Sequence, residues 1–241
     1  RQADRRGVRR AEARLAVVAG ELSPIMTGLM YCSVIDACQQ VCALNRSREW
    51  TFAFARWCEQ QPQLAAFTGK CLIYRAEVLQ FHGAWPNAMT EARRACERSQ
   101  KAQRNPPGGA LYQQAEIHRL RGDFAAAEEA YSSASQHGYE PQPGLALLRS
   151  AQGRTHAACV SIERALNSAT DRLQRVSLLV AYVEVMLAAG DVQNASCACR
   201  ELEQIADTID TDALRAMASQ CRGAVELGQG DALAALGSLR R

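Results

Sequence analysis

The chain has 241 residues, 48% of them hydrophobic, and a formal net charge of +3. That balance leaves no nucleic-acid footprint, and no apolar run approaches the ~20 residues a membrane helix needs. Ten cysteines contain no CxxC pair and the four histidines do not cluster at zinc-finger spacing.

The first stretch, 1–24, is arginine-rich from Arg1 to Arg14 and reads as one helix over residues 4–20, half of a truncated unit. Its charges suit a solvated terminus or a basic arm. A chain that starts with Arg and ends inside a helical pattern reads as a piece of a longer protein. Residues 25–241 read as one repeat domain. Its first pair is a helix over Tyr31–Leu44 and a second over Glu49–Gln60 carrying Trp50, Phe54 and Trp57. Asn45-Arg46-Ser47 is the expected turn, made of good capping residues.

Beyond Pro62 the pattern becomes regular. Gly83, Gly122, Gly153, Gly190 and Gly230 each have alanine five residues later: Ala88, Ala127, Ala158, Ala195 and Ala235. Seven residues before each glycine stands Ala76, Ala115, Ala146, Val183 or Gly223. The glycines are 39, 31, 37 and 40 residues apart, a period that belongs to stacked helix–turn–helix units. Each glycine ends a first helix, and small side chains let the second helix approach it closely. Asp123, Asp191 and Asp231 follow their glycines as helix caps, and Pro86 fits the first turn of its helix. Pro106-Pro107-Gly108-Gly109 and Pro141-Gln142-Pro143-Gly144 separate units. The acidic run Asp207–Asp212 lacks the glycine and terminal glutamate of a calcium loop, so Asp210 or Asp212 is expected to cap a helix. No alternating run reads as a strand.

The prediction is an all-α fold, a tetratricopeptide-like superhelix: a right-handed solenoid of about six helix pairs. Solenoids of this kind present surfaces to partners. No catalytic constellation is present: no HExxH, no GxSxG and no phosphate loop. The expectation is a non-enzyme with no catalytic residue, no metal and no cofactor. Cys38/Cys42 and His156/Cys159 are the pairs with ligand-like spacing, but buried free thiols packing in a reducing cytoplasm fit the cysteines better.

One register does point to binding. Glu77, Glu116 and Glu184 each stand six residues before a turn glycine, and Gln40 is read as their earlier equivalent. With Tyr74, Tyr112 and Arg119 beside them, they form a candidate concave wall for a basic peptide or cationic ligand. The competing reading is a set of solvated helix formers or internal ion pairs.

The unit over 108–135 fits the tetratricopeptide pattern, with small residues at Ala115, Ala127 and Ala134 and aromatics at Phe124 and Tyr131. The stretches REWTFAFARWC (48–58), HGAWPNAMTEARRA (82–95), QAEIHRLRGDFAAAEEAY (114–131) and GYEPQPGLALLRSAQG (138–153) resemble the helical-repeat region of bacterial LuxR-family transcriptional regulators. That resemblance implies a sensor or protein-interaction module. Its partner would be protein, either the regulator's own domains or another protein, or a small ligand. DNA would be contacted only through a helix-turn-helix domain that this sequence does not contain. The alternative is a freestanding tetratricopeptide-like scaffold for protein assembly.

Overall fold

A computed structural model describes residues 23–61, 64–101 and 105–240. The helix expected over residues 4–20 lies outside them. Among the described residues 82% are helical and no strand occurs. Twelve helices follow in order: α1 Pro24–Gln40, α2 Leu44–Glu59, α3 Ala65–Phe81, α4 Trp85–Lys101, α5 Gly108–Leu120, α6 Phe124–Gln136, α7 Gly144–Ala151, α8 Thr155–Ser168, α9 Arg172–Ala188, α10 Val192–Ile209, α11 Asp212–Gly228 and α12 Ala232–Leu239. In the first of two units α2 to α6 each pack on the next, in the second α7 to α12 do the same, and α5 lies against α3 as α11 lies against α9. The fold is an all-α repeat of helix pairs.

The turn at Gly122 shows why the register repeats. Its φ is +78°, where a Cβ would be strained. That conformation lets the Asp123 amide reach back to the His118 carbonyl at 2.9 Å, closing the end of α5. The Asp123 carboxylate then accepts from the Ala126 amide at 3.5 Å and starts α6. The other four turn glycines share the positive φ, and the same backward bond recurs after each. The alanines five residues on are buried to 0–1%, where the two helices of each pair meet.

The first pair corrects the expected boundaries. Asn45, Arg46 and Ser47 lie inside α2, and the chain turns earlier, at Cys42, whose φ is +52°. Ala43 donates to the Cys38 carbonyl at 2.7 Å, the same bond as in the glycine turns. Ile35 and Ser47, at 0% and 2% exposure, take the two small-residue positions. The pair therefore obeys the common register with cysteine standing for glycine. A second correction concerns the acidic run. Thr211 caps α11, its hydroxyl accepting from Leu214 at 3.4 Å, while Asp210 is the left-handed residue that ends α10. Asp210 and Asp212 both grip Arg215.

Two compact units result. One holds Ala43–Pro141 with the described part of α1 up to Gln39, and the other holds Gln142–Arg241 with the short Gln40–Cys42 stretch. The first unit has an aromatic core in which Tyr31 stacks on Phe54 at 5.3 Å and meets Trp50 and Trp57 at 5.9 and 5.8 Å. The second is aliphatic, built on Ile162, Leu179, Val185, Leu202 and Leu214. α10 and α11 bury apolar residues that recur at helical spacing, and α9, packed by α7, α8, α10 and α11, buries residues on several faces.

Candidate functional site

In the first unit, α1, α3 and α5 are the leading helices of three successive pairs. The position six residues before each turn carries Asp36, Glu77 and Glu116. Three residues before the turns stand Gln39, Gln80 and Arg119. Equivalent residues of neighbouring repeats face the same way, so these side chains meet.

Asp36 is compensated. Tyr74, 3% exposed, donates its hydroxyl to Asp36 Oδ1 at 2.6 Å. Lys70 Nζ lies 3.2 Å from Asp36 Oδ2 and 5.3 Å from the centre of the Tyr74 ring. Burial, reinforced by the bond to Asp36, holds the Tyr74 phenol above its ordinary range.

Glu116 is compensated more tightly. It is 8% exposed and takes Arg119 through both Nε at 3.3 Å and Nη2 at 2.8 Å. Tyr131 donates a short hydrogen bond to its Oε1. Burial works against the Arg119 charge, but the Glu116 carboxylate more than restores it, and the guanidinium sits above its usual pKa. Burial first, then Glu116, raises the Tyr131 phenol. Glu116 and Arg119 thus act as one internal pair.

Glu77 differs. Gln39 Nε2 donates to its Oε2 at 2.5 Å, and the Gln113 side chain lies near enough to act on the carboxyl, so residues of three helices meet at it. Burial pushes its pKa up to about 7, and nearby Asp36 adds to the rise, while the two amides and Lys70 oppose it. No ion pair to Glu77 occurs among the described residues. Gln113 is 7% exposed and its Oε1 is buried with no hydrogen-bond partner. A carboxyl whose pKa burial raises and an amide oxygen without a hydrogen-bond partner therefore stand near each other.

Tyrosines enclose the row. Tyr112 lies between Tyr131 and Tyr139, edge-on to the first and tilted against the second, with ring centres 5.6 and 5.2 Å away. Tyr139 precedes α7, and its phenol lies within electrostatic reach of Glu77, Asp36 and Glu116. Burial, with these three carboxylates, raises it to about 12. Gly108 makes room for it, because a Cβ there would stand 2.5 Å from Tyr139 Cβ. The PPGG segment is thus where α5 starts under a tyrosine.

Among the residues predicted from sequence, Tyr74, Glu77, Tyr112, Glu116 and Arg119 are brought together. Gln40 is not one of them: it is exposed at the end of α1, and its neighbour Gln39 makes the contact. Glu184 is exposed on α9 in the second unit. Asp36, Gln39, Lys70, Gln113, Tyr131 and Tyr139 are additional. Asp36 carried a signal, since it lies six residues before Cys42, but the signal is hidden unless Cys42 is recognised as a turn.

In the second unit two ion pairs join helices, while Arg149 Nε and Glu226 Oε2 are buried without a hydrogen-bond partner among the described residues. Arg175 bridges to Glu201 at 2.6 and 2.9 Å and to the Leu166 carbonyl at 2.7 Å, fastening the end of α8 to α9 and α10. Arg222 pairs with Glu203 beside a cavity of about 660 Å³. No group of three potential metal ligands occurs among the described residues, and none of their helices is long and apolar enough to cross a membrane. No protein-family model matches the chain, and no curated protein matches it.

Proposed function

We propose that the chain is a helical-repeat binding module, and that the Glu77 site receives a cationic N–H donor from a small ligand or a protein segment. One observation carries this reading: a largely buried carboxyl with no ion-pair partner among the described residues, near the orphaned oxygen of Gln113 and within electrostatic reach of Tyr139. An ammonium or guanidinium would bond to both oxygens and lie against the aromatic ring. Because Asp36 and Glu116 already hold Lys70 and Arg119, the site suits one cationic group rather than a basic run.

The setting we propose is the sensor or protein-interaction part of a LuxR-type transcriptional regulator in the cytoplasm. The four stretches quoted above support it. Ligand or partner binding would favour one arrangement of the repeats and so release or align a DNA-binding domain elsewhere in the parent protein. A freestanding scaffold is the second reading. A helix-turn-helix encoded beyond Arg241 favours the regulator, and a stop codon there favours the scaffold.

The binding test is calorimetric titration of the chain with a short peptide bearing a single lysine, at pH 6 and pH 8. Affinity is expected to rise with pH and Glu77 to release its proton on binding. Glu77→Gln should weaken binding, while Glu184→Gln leaves it unchanged. Equal affinity for wild type and Glu77→Gln would remove the site from the proposal.

A further inference from the structure

On another part of the first unit, α2 and α3 bring two thiols together beneath a group of arginines. Cys58, near the end of α2, and Cys71, in the first half of α3, are 4% and 3% exposed, belong to one core cluster and act on each other electrostatically. Both line a cavity of about 480 Å³ whose walls include Arg75, Arg94 and Arg98, with Glu59 as the one carboxylate among its lining residues. The thiols are thus shielded from bulk water yet face a space that a small molecule can enter.

The charges around the pair are unequal. Arg75 and Arg94 both reach Glu91, at 3.3 and 3.2 Å, so their charge is partly neutralised. Arg98 has no carboxylate partner among the described residues and acts electrostatically on both thiols. The neighbouring Cys58 thiol pulls the Cys71 thiol below its ordinary pKa; burial opposes this, and Arg75 and Arg98 assist it. Cys58 moves the opposite way, raised by Cys71 and by burial. Arg75 stands one turn beyond Cys71 on α3 and acts on it, so Cys71 has the nearer cation and is the better placed nucleophile of the two.

We propose that Cys58 and Cys71 are a dithiol switch oxidised by hydrogen peroxide, with Cys71 attacking and Cys58 resolving in the arginine-walled cavity. The Cys71 thiolate sulfur bonds to one peroxide oxygen and the O–O bond breaks. Cys71 becomes a sulfenic acid, and the departing hydroxide, formed beside Arg98, takes a proton to become water. Cys58 sulfur then attacks the sulfenic sulfur, the S–O bond breaks, and a second water leaves with the Cys58 proton. Two thiols and one peroxide give one disulfide and two waters. The bond would fasten α2, the second helix of one pair, to α3, the first helix of the next.

The other cysteines of this unit lack the combination. Cys96 lies against Gln114 and has burial raising its pKa, and Cys32 is likewise raised by burial. Exposed Cys197, in the second unit, serves as an internal reference for unassisted oxidation.

The experiment treats the native chain with equimolar hydrogen peroxide, blocks remaining thiols under denaturing conditions, and maps tryptic peptides by mass spectrometry. The expected product is a peptide pair bridged through Cys58 and Cys71, formed before Cys197 is oxidised. Cys58→Ser should leave a sulfenic acid at Cys71 that dimedone traps. Cys71→Ser should leave none at Cys58. Arg98→Ala should slow bridging several-fold while circular dichroism stays unchanged. Oxidation of Cys197 with Cys58 and Cys71 still reduced would overturn the proposal, as would dimedone labelling at Cys58 in the Cys71→Ser chain. If Cys58→Ser does not fold, the wild-type peptide map decides alone.

Discussion

Glu77→Gln is the sharpest perturbation of the binding site, because it separates the carboxyl's charge from its hydrogen bonds. The glutamine has nearly the shape of a protonated glutamic acid and still presents an oxygen to Gln39. The Glu77 pKa is raised from its ordinary 4.5 to about 7, mainly by burial. The native state therefore holds this proton more tightly than the unfolded chain does. Its contribution is fully present below about pH 4.5 and is lost as pH rises through about 7. At ~1.4 kcal/mol per unit, the shift corresponds to a ceiling of about 3 kcal/mol. Because Glu77 keeps some exposure and has Lys70 nearby, a difference of ~1–3 kcal/mol is expected.

The assay follows from the composition. The three tryptophans, Trp50, Trp57 and Trp85, all belong to the first unit. Their fluorescence during urea unfolding reports that unit without assuming that the whole chain unfolds in one step. Wild type and Glu77→Gln should match near pH 4.5. At pH 8 the variant should be more stable by the amount above, and the difference should grow through pH 5–7. Other groups titrate in that window, but they do so in both proteins. A constant difference across this range would refute the reasoning, and so would a Glu77 titration near 4.5 by carboxyl NMR.

Two further predictions concern what positions the row. Ala127 is 0% exposed where α5 and α6 meet, so Ala127→Leu should overpack that contact and cost ~1–3 kcal/mol in thermal or urea unfolding. Gly108→Ala places a Cβ 2.5 Å from Tyr139 Cβ and 3.3 Å from the Ala134 carbonyl, and should displace Tyr139 at a cost of ~1–3 kcal/mol. The Tyr139 ring signals in NMR should shift in that variant, and unchanged signals would count against the contact.

The five glycine turns were legible because their cause is local. A left-handed turn and an alanine at the close approach are written within a few residues of each glycine, and a capping aspartate follows three of the five. The Glu77 site was half legible. Equivalent positions fall in a row, so the register located Glu77 and Glu116; Arg119 is a local partner of Glu116, but the Lys70 that pairs with Asp36 and the Tyr131 that donates to Glu116 come from other helices. Nothing local to Glu116 says that Tyr131, fifteen residues on, will donate to it. Nor does the sequence around Tyr139 announce that Gly108 leaves space for its ring. The expectation of a line of available carboxylates failed for this reason: the neighbours supply cations to Asp36 and Glu116 and amides to Glu77.

Cys42 marks the boundary between these cases, and it can be tested directly. If it stands in for a turn glycine, its Cβ is strained at φ +52°. Cys42→Gly alone would mix that relief with loss of the thiol's packing. Comparing Cys42→Ala with Cys42→Gly removes the ambiguity, since both delete the sulfur and differ by the Cβ. At most sites alanine is the more stabilising by ~0.4–1 kcal/mol, because glycine leaves the unfolded chain more freedom. At a left-handed position the order reverses, for the strain of ~1–2 kcal/mol exceeds that entropy. Cys42→Gly should therefore unfold at a higher temperature than Cys42→Ala. The opposite order would mean that Cys42 is not the sixth turn of the repeat, and Asp36 would lose its place beside Glu77 and Glu116 in the register.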